Sequence, residues 1–337
     1  MIKENMIYTG HHPRRLIALA TAAVLITAAC SSGDNRPDVQ VKDGGIGRGG
    51  ELAAEVASYD LVAGRTGRFI VGLLAGDHSR LLAFGTVELT FTYLGERDAS
   101  APAGPPTAPV TARFLPIPGQ RLDHGGPGPR FVEGSEGTGV YGSNGVSFAR
   151  PGFWRVAVTA IVDGQRRQAE AALSVLARSS IPAPGDPAPR TEHPIAGTPG
   201  VDPRSVDSRA GHDSAIPDPE LHTTTIAAAL NAKRPLMVVV STPTYCQSRF
   251  CGPITDSVAA LAKRSGDRMA FVHLEVWRDF EKGQLNDAVR QWIFPPGTED
   301  AREPWVFVVG RDGRITQRFD NVATDTELEQ AVALATK

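Results

Sequence analysis

A proline- and glycine-rich stretch splits the chain into two parts with different hydrophobic periods, so one uniform layer of secondary structure cannot satisfy both. Residues 179–220 hold nine Pro and four Gly in 42 positions. Such a composition cannot bury enough apolar surface to fold alone. It reads as a linker over 178–220, semi-extended because proline stiffens it. Before it the pattern is that of short strands. After it, apolar runs alternate with helical spacings. The length of 337 residues suits about two domains. Hydrophobic residues at 41% and charged residues at 21% exclude wholesale disorder. The formal charge of −2 gives no footprint for nucleic acid.

The first part, 51–177, reads as all-β. Thr86-Val87-Glu88-Leu89-Thr90-Phe91-Thr92-Tyr93 alternates apolar and polar with period two, as a half-buried strand does. Residues 153–162 and 166–176 flank Asp163-Gly164, a pair that adopts the positive φ of a tight turn, and form a hairpin. About seven short strands without a helical pattern predict a β-sandwich. A Pro/Ala-rich loop (98–108) and a Gly-rich loop (117–139) interrupt it. The runs Gly139-Val140-Tyr141 and Arg150-Pro151-Gly152-Phe153-Trp154-Arg155-Val156 resemble the late strands of Ig-like sandwiches, with Trp154 as a core anchor.

The N-terminus reads as an address. Lys3, Arg14 and Arg15 precede an apolar run over 16–26, too short to span a bilayer comfortably. Ile26-Thr27-Ala28-Ala29-Cys30 then resembles the lipobox of bacterial lipoproteins, with Thr27 where Leu or Val is commoner. The resemblance implies a signal peptide over 1–29, lipidation of Cys30, a tether over 30–50, and a membrane-anchored protein facing the extracytoplasmic side of the cell envelope. Disulfides are chemically permitted there.

The second part, 221–337, alternates. Helices are expected over 223–233, 253–264, 285–293 and 324–335, and strands over 236–240, 269–277, 305–309 and 315–319. Thr324 and Glu327 have the spacing of a capping box. This order, with Val238-Val239-Val240-Ser241-Thr242-Pro243-Thr244-Tyr245-Cys246, then Cys251-Gly252-Pro253, then Glu303-Pro304-Trp305, resembles the extracytoplasmic thioredoxin-like group. The overall expectation is therefore a multidomain chain: an all-β Ig-like sandwich followed by an α/β thioredoxin-like domain. The resemblance implies that Pro304 is a cis-proline facing the cysteines and that Pro304, Trp305 and Tyr245 line a substrate groove.

The cysteines carry their own chemistry. A helix N-terminus offers free N–H groups and partial positive charge. A thiolate placed there is stabilised and becomes a nucleophile near neutral pH. A second thiol in reach resolves the mixed disulfide. The spacing Cys246-Gln247-Ser248-Arg249-Phe250-Cys251 departs from the Cys-x-x-Cys of thioredoxins. Residues five apart in a regular helix have Cα atoms about 8.7 Å apart, beyond the roughly 7 Å limit for a disulfide. Pro253 suits the first helical turn, so 246–251 is expected to be a loop, with the helix starting near Pro253. Either cysteine can then be the nucleophile.

Several chemistries compete for the pair. The first is thiol–disulfide exchange with protein thiols or disulfides of the envelope, which needs no cofactor and no metal. The second is peroxide reduction, since Thr242-Pro243 resembles a segment of the atypical peroxiredoxins. There, however, the threonine lies three residues before the cysteine rather than four, and Val239 stands where their proline is expected. The third is copper handling, as in Sco-type assembly proteins, with His273 joining Cys246 and Cys251, because soft thiolates suit Cu(I). The fourth is an inert bridge on a non-catalytic interaction module. Strand 236–240 lacks the buried acid that thioredoxins keep beneath the pair, and Glu275 is the substitute on the neighbouring strand. Arg249 lies beside the thiols and offers a charge that lowers a thiol pKa. His193, His212 and His222 lack ligand-like spacing and read as solvated linker histidines.

Overall fold

The computed structural model describes residues 51–97, 104–119, 128–133, 138–212, 215–246, 248–294, 296 and 301–337. The expected leader (1–29), tether (30–50) and lipid site Cys30 lie outside the described residues, as do parts of the two interrupting loops.

The N-terminal strands are β1 (Leu52–Val56), β2 (Thr66–Ala75), β3 (Leu81–Ala83), β4 (Thr86–Gly95), β5 (Val110–Pro116), β6 (Arg130–Val132), β7 (Gly139–Ser147), β8 (Gly152–Val162) and β9 (Gln165–Val175). They form one nine-stranded sheet in the order β6-β3-β2-β7-β5-β4-β8-β9, with β1 also paired to β2. Every pairing in it is antiparallel. The expected pair of stacked sheets is thus one continuous sheet. Such a sheet must cover its apolar face with another layer or with itself. Here the inward residues Leu52, Phe69, Phe91, Tyr141, Trp154 and Leu173, from six strands, meet in one core cluster. Trp154 is the expected anchor: its indole N–H donates to the Arg150 carbonyl (3.1 Å), and its ring meets Phe148 and Tyr93 edge-on.

The β8–β9 hairpin follows from its turn. Asp163 and Gly164 have φ of 51° and 74°, the two positive values that match the strand twist. The register runs unbroken from Val162↔Gln165 to Gly152↔Val175.

Beyond residue 220 the elements are α1 (Ile226–Asn231), β10 (Leu236–Ser241), α2 (Cys251–Ser265), β11 (Ala270–Glu275), β12 (Trp277–Asp279), β13 (Gln284–Leu285), a 3-10 turn (Asp287–Gln291), β14 (Trp305–Val309), β15 (Ile315–Asp320) and α3 (Asp325–Ala335). The expected thioredoxin-like α/β domain is overturned. The described residues hold fifteen strands but only three α-helices, and the largest sheet is antiparallel, so the chain is mostly β. The helix expected over 285–293 is the short 3-10 turn. Pro295 and Pro296 follow it and cannot continue a helix. The first helix shrinks to six residues.

These strands form a four-stranded sheet in the order β11-β10-β14-β15, in which only β10 and β11 run parallel. β10 is buried along its whole length, as its continuous apolar run requires. One face packs against α2 and α3 through Ile254, Val258, Leu328 and Val332. The other packs against α1 and Trp292. The Thr324–Glu327 capping box is present: the Thr324 hydroxyl accepts from Glu327 N–H, and Glu327 Oε2 accepts from Thr324 N–H (2.9 Å).

The Pro-rich stretch, expected as a semi-extended linker, does not stand free of the second sheet. It packs along the second sheet. Gly185 N–H donates to the Ile315 carbonyl (2.8 Å), Ile315 N–H to that of Asp186 (2.9 Å), and Ala188 N–H to that of Gly313 (2.9 Å). Ile181 and Ala188 join the Trp292 core, and Thr191 Oγ1 accepts from the Trp292 indole (2.9 Å). A segment too poor in apolar residues to fold alone can still cover faces that other elements present. Across the junction with the first sheet, Arg318 pairs with Asp60, and Arg68 reaches Asp320, Glu327 and the Val322 carbonyl. Among the described residues no helix is long and apolar enough to cross a membrane.

Candidate functional site

The loop after β10 carries Cys246, whose N–H donates to the Thr242 carbonyl (3.0 Å). Helix α2 begins at Cys251 itself, two residues before the expected start at Pro253. Pro253 is then its third residue, within the first turn, where a missing N–H costs no hydrogen bond. Phe250 occupies the N-cap position and offers no side-chain acceptor. The first turn of α2 is therefore not capped by that side chain, and Cys251 stands at this end of the helix. The Thr255 hydroxyl donates to the Cys251 carbonyl (2.8 Å) and lies 2.7 Å from Ser241 Oγ, which ties this first turn to β10.

Cys246 and Cys251 form a disulfide, with Cα atoms 6.1 Å apart. The expectation of a loop that closes the pair holds for Cys246, while Cys251 already belongs to the helix. The two sulfurs are not equivalent. Cys251 is fully buried and Cys246 only half-buried, with the Ser248 hydroxyl 3.2 Å from its sulfur. Arg249 is exposed.

An acid does lie beside the pair, but it is Glu303 rather than Glu275. A carboxylate oxygen of Glu303 and both sulfurs all lie within 4.8 Å of one another. The Glu303–Pro304 peptide is cis. Glu303 Oε2 is shut off from solvent and has no hydrogen-bond partner among the described residues. Burial, and then repulsion from Glu275, push its pKa up to about 8, against a Thr242 backbone hydrogen bond and the attraction of His273. The shift favours the protonated acid near neutral pH, and a carboxylate oxygen is held next to sulfur. Tyr59, from the loop after β1, donates its hydroxyl to the Glu303 carbonyl (3.1 Å), and Asn321 N–H donates to that of Pro304 (3.0 Å).

Glu275 is spoken for elsewhere. Its Oε2 accepts from Ser208 N–H (2.8 Å), and its Oε1 from the N–H groups of Val276 (2.9 Å) and Trp277 (3.3 Å). Burial raises its pKa. Of the expected groove residues, Trp305 is 3% exposed and packs on Tyr59 and Phe307 as a core ring, and Pro304 is buried with it. Neither presents an open face to a substrate. Tyr245 stays at the surface, stacked on Phe280 with centroids 4.0 Å apart. Phe280 is one of three large apolar side chains left exposed among the described residues.

His273 does not join the cysteines, so the copper set of Cys246, Cys251 and His273 is not assembled. It faces a second buried cluster instead. Asp207 Oδ2 lies 3.5 Å from His273 Nδ1 and 3.4 Å from His222 Nε2, and all three residues are at most 1% exposed. His222 is thus a core residue, unlike the solvated histidine expected, and His193 is half-buried with its Nε2 accepting from Ile226 N–H (3.2 Å). Arg209 bonds both oxygens of Asp207: Nη2 donates to Oδ2 (2.7 Å), the oxygen that faces the imidazoles, and Nε to Oδ1 (3.0 Å). Burial would raise Asp207; the two imidazoles and Arg209 more than offset it and keep the carboxylate ionised.

Sequence reasoning missed Asp207, His222 and Glu303. Asp207 and His222 sit in or beside the Pro-rich stretch, where no periodicity marks a buried residue. Glu303 had a usable signal, since it directly precedes the proline expected to face the cysteines. Comparison of the chain with family models, with curated proteins and with solved structures finds no match.

Proposed function

We propose that the chain is a thiol–disulfide oxidoreductase of the cell envelope that works through Cys246 and Cys251. The observation that carries this reading is the asymmetry of the pair: a partly buried loop cysteine, bonded to a buried cysteine on the first residue of a helix, with a half-buried acid beside both. A partner thiolate reaches Cys246 and attacks its sulfur. The Cys246–Cys251 bond breaks, a mixed disulfide forms, and Cys251 leaves as a thiolate against the N–H groups of α2. Leaving is faster when the departing thiol has a low pKa. Protonated Glu303 supplies the proton that converts this thiolate to a thiol. The partner's second thiol then attacks the partner sulfur of the mixed disulfide and releases Cys246. Two electrons pass to the pair and the partner becomes a disulfide; the two protons its thiols give up to solvent balance those taken up by Cys246 and by Glu303 as it recovers its own. The reverse sequence reduces a partner, with Cys246 as nucleophile and Cys251 as the resolving thiol.

The lipobox-like run ending at Cys30 supports a lipid anchor and an extracytoplasmic location, where such partners occur. The test is trapping. The Cys251→Ser chain should accumulate a mixed disulfide through Cys246, and Cys246→Ser should accumulate little. Full reductase activity in both single variants would refute the proposal.

A further inference from the structure

The cluster formed by Asp207, His222 and His273 uses no residue of the cysteine pair, and its geometry is that of a ligand set. His273 Nε2 lies 3.0 Å from the Ser241 carbonyl, which can only accept, so this nitrogen carries the ring proton. In the neutral ring Nδ1 is then a bare lone pair, and it points at the Asp207 carboxylate. Two acceptors facing each other in a dry interior need a cation between them. His222 Nε2 points at the same oxygen. Neither His222 Nε2 nor His273 Nδ1 has a hydrogen-bond partner among the described residues, although both are shut off from solvent.

The spacing matches a metal rather than direct hydrogen bonds. Ligands at about 2.0–2.1 Å in a tetrahedron stand about 3.3–3.4 Å apart. The two nitrogen–oxygen separations are 3.4 and 3.5 Å, and all three ligand atoms lie within 4.8 Å of one another. The outer shell fits as well. A ligating imidazole usually donates its other N–H to a carbonyl, and a ligating carboxylate is itself hydrogen-bonded. Ser241 and Arg209 fill these two roles, Arg209 bonding both Asp207 oxygens, the Oδ2 that faces the imidazoles (2.7 Å) among them. The Arg209 charge is answered by Asp218 (3.0 Å) and Asp256 (2.8 Å), and buried Glu275 stands two residues along β11 from His273.

We infer that Asp207, His222 and His273 form a binding site for a divalent transition metal of the zinc class. Two imidazoles and one carboxylate supply three ligands of borderline softness, the type that suits zinc. The three come from separate segments: the packed Pro-rich stretch, the turn before α1, and β11. A bound ion clamps the first two onto the second sheet.

The full chain, kept oxidised and stripped with chelator, is titrated with Zn²⁺ followed by calorimetry and with Co²⁺ followed by visible absorption. One equivalent of each should bind. Cobalt should show ligand-field bands of low coordination number without a thiolate charge-transfer band. Zinc should raise the unfolding temperature and slow proteolysis within 178–222. His222→Gln and Asp207→Asn should each weaken binding at least about 100-fold, while the Cys246→Ser/Cys251→Ser double variant keeps the full equivalent. Absence of stoichiometric binding to the unmutated chain would overturn the site and leave a proton as the only cation there. Binding that survives both cluster variants, or disappears with the cysteines, would overturn it too.

Discussion

Replacing Glu303 with Gln removes one ionisable group and keeps the shape of the side chain. An acid whose pKa is raised by folding stabilises the folded state most where it is protonated in both states, below its unfolded value near 4.5. That stability is lost as pH rises through the folded value of about 8. A shift of about 3.5 units corresponds to a ceiling of about 5 kcal/mol. Glu303 is only half-buried as a whole, so screening reduces this to about 2 kcal/mol. The oxidised chain should therefore lose about 2 kcal/mol between pH 5 and pH 8 that the Glu303→Gln chain retains. Urea unfolding at four pH values, with the disulfide intact, reads the difference between the two chains, and groups titrating identically in both cancel. The kinetic counterpart is proton donation. Glu303→Gln should slow reduction of the disulfide by a model dithiol about 100-fold below pH 8, with the gap closing above it. Parallel stability profiles together with equal reduction rates would refute the role of Glu303.

Two further predictions concern the frame that holds the site. Arg318→Ala leaves Asp60 buried without its partner and should cost about 3 kcal/mol in urea unfolding; a loss below about 0.5 kcal/mol would show the pair to be incidental. Burial alone would raise the Asp60 pKa, but Arg318 and the Ser179 and Ser180 hydrogen bonds hold it below the usual carboxylate range. Its contribution is thus present above pH 4 and lost as pH falls, and the cost of Arg318→Ala should shrink in acid. Thr324→Ala removes the capping box of α3 and should cost about 1 kcal/mol, while Thr324→Ser should restore most of it in the same assay.

Features that depend on local chain geometry were legible in the sequence. The Asp163-Gly164 turn, the period-two strand β4 and the Thr324–Glu327 box each depend on residues within a few positions of one another. Features that depend on distant partners were not. Alternation marks a strand face but not its neighbour, so one nine-stranded sheet and two stacked sheets read alike. The apolar spacing of Val289, Trp292 and Ile293 fits a helix, yet the proline pair that follows limits the segment to a 3-10 turn. Too few helices remain for the α/β domain that was expected. The Pro-rich stretch lacks the apolar residues to fold alone, which says nothing about whether another surface will accept it. Its packing is what buries Asp207 and brings His222 and His273 together. The cysteine pair was legible because its spacing excludes a regular helix. The identity of the neighbouring acid was not, because Glu303 lies 52 residues beyond Cys251 in the chain.

The reduction potential of the Cys246–Cys251 pair in the full chain tests the central claim most directly. It is measured by thiol trapping across a graded series of glutathione and dithiothreitol buffers. A reversible couple between roughly −120 and −270 mV, the range of catalytic dithiols, is the predicted result. Its position also sets the direction of electron flow with envelope partners. A value below about −300 mV would mark a structural bridge and contradict the proposed activity.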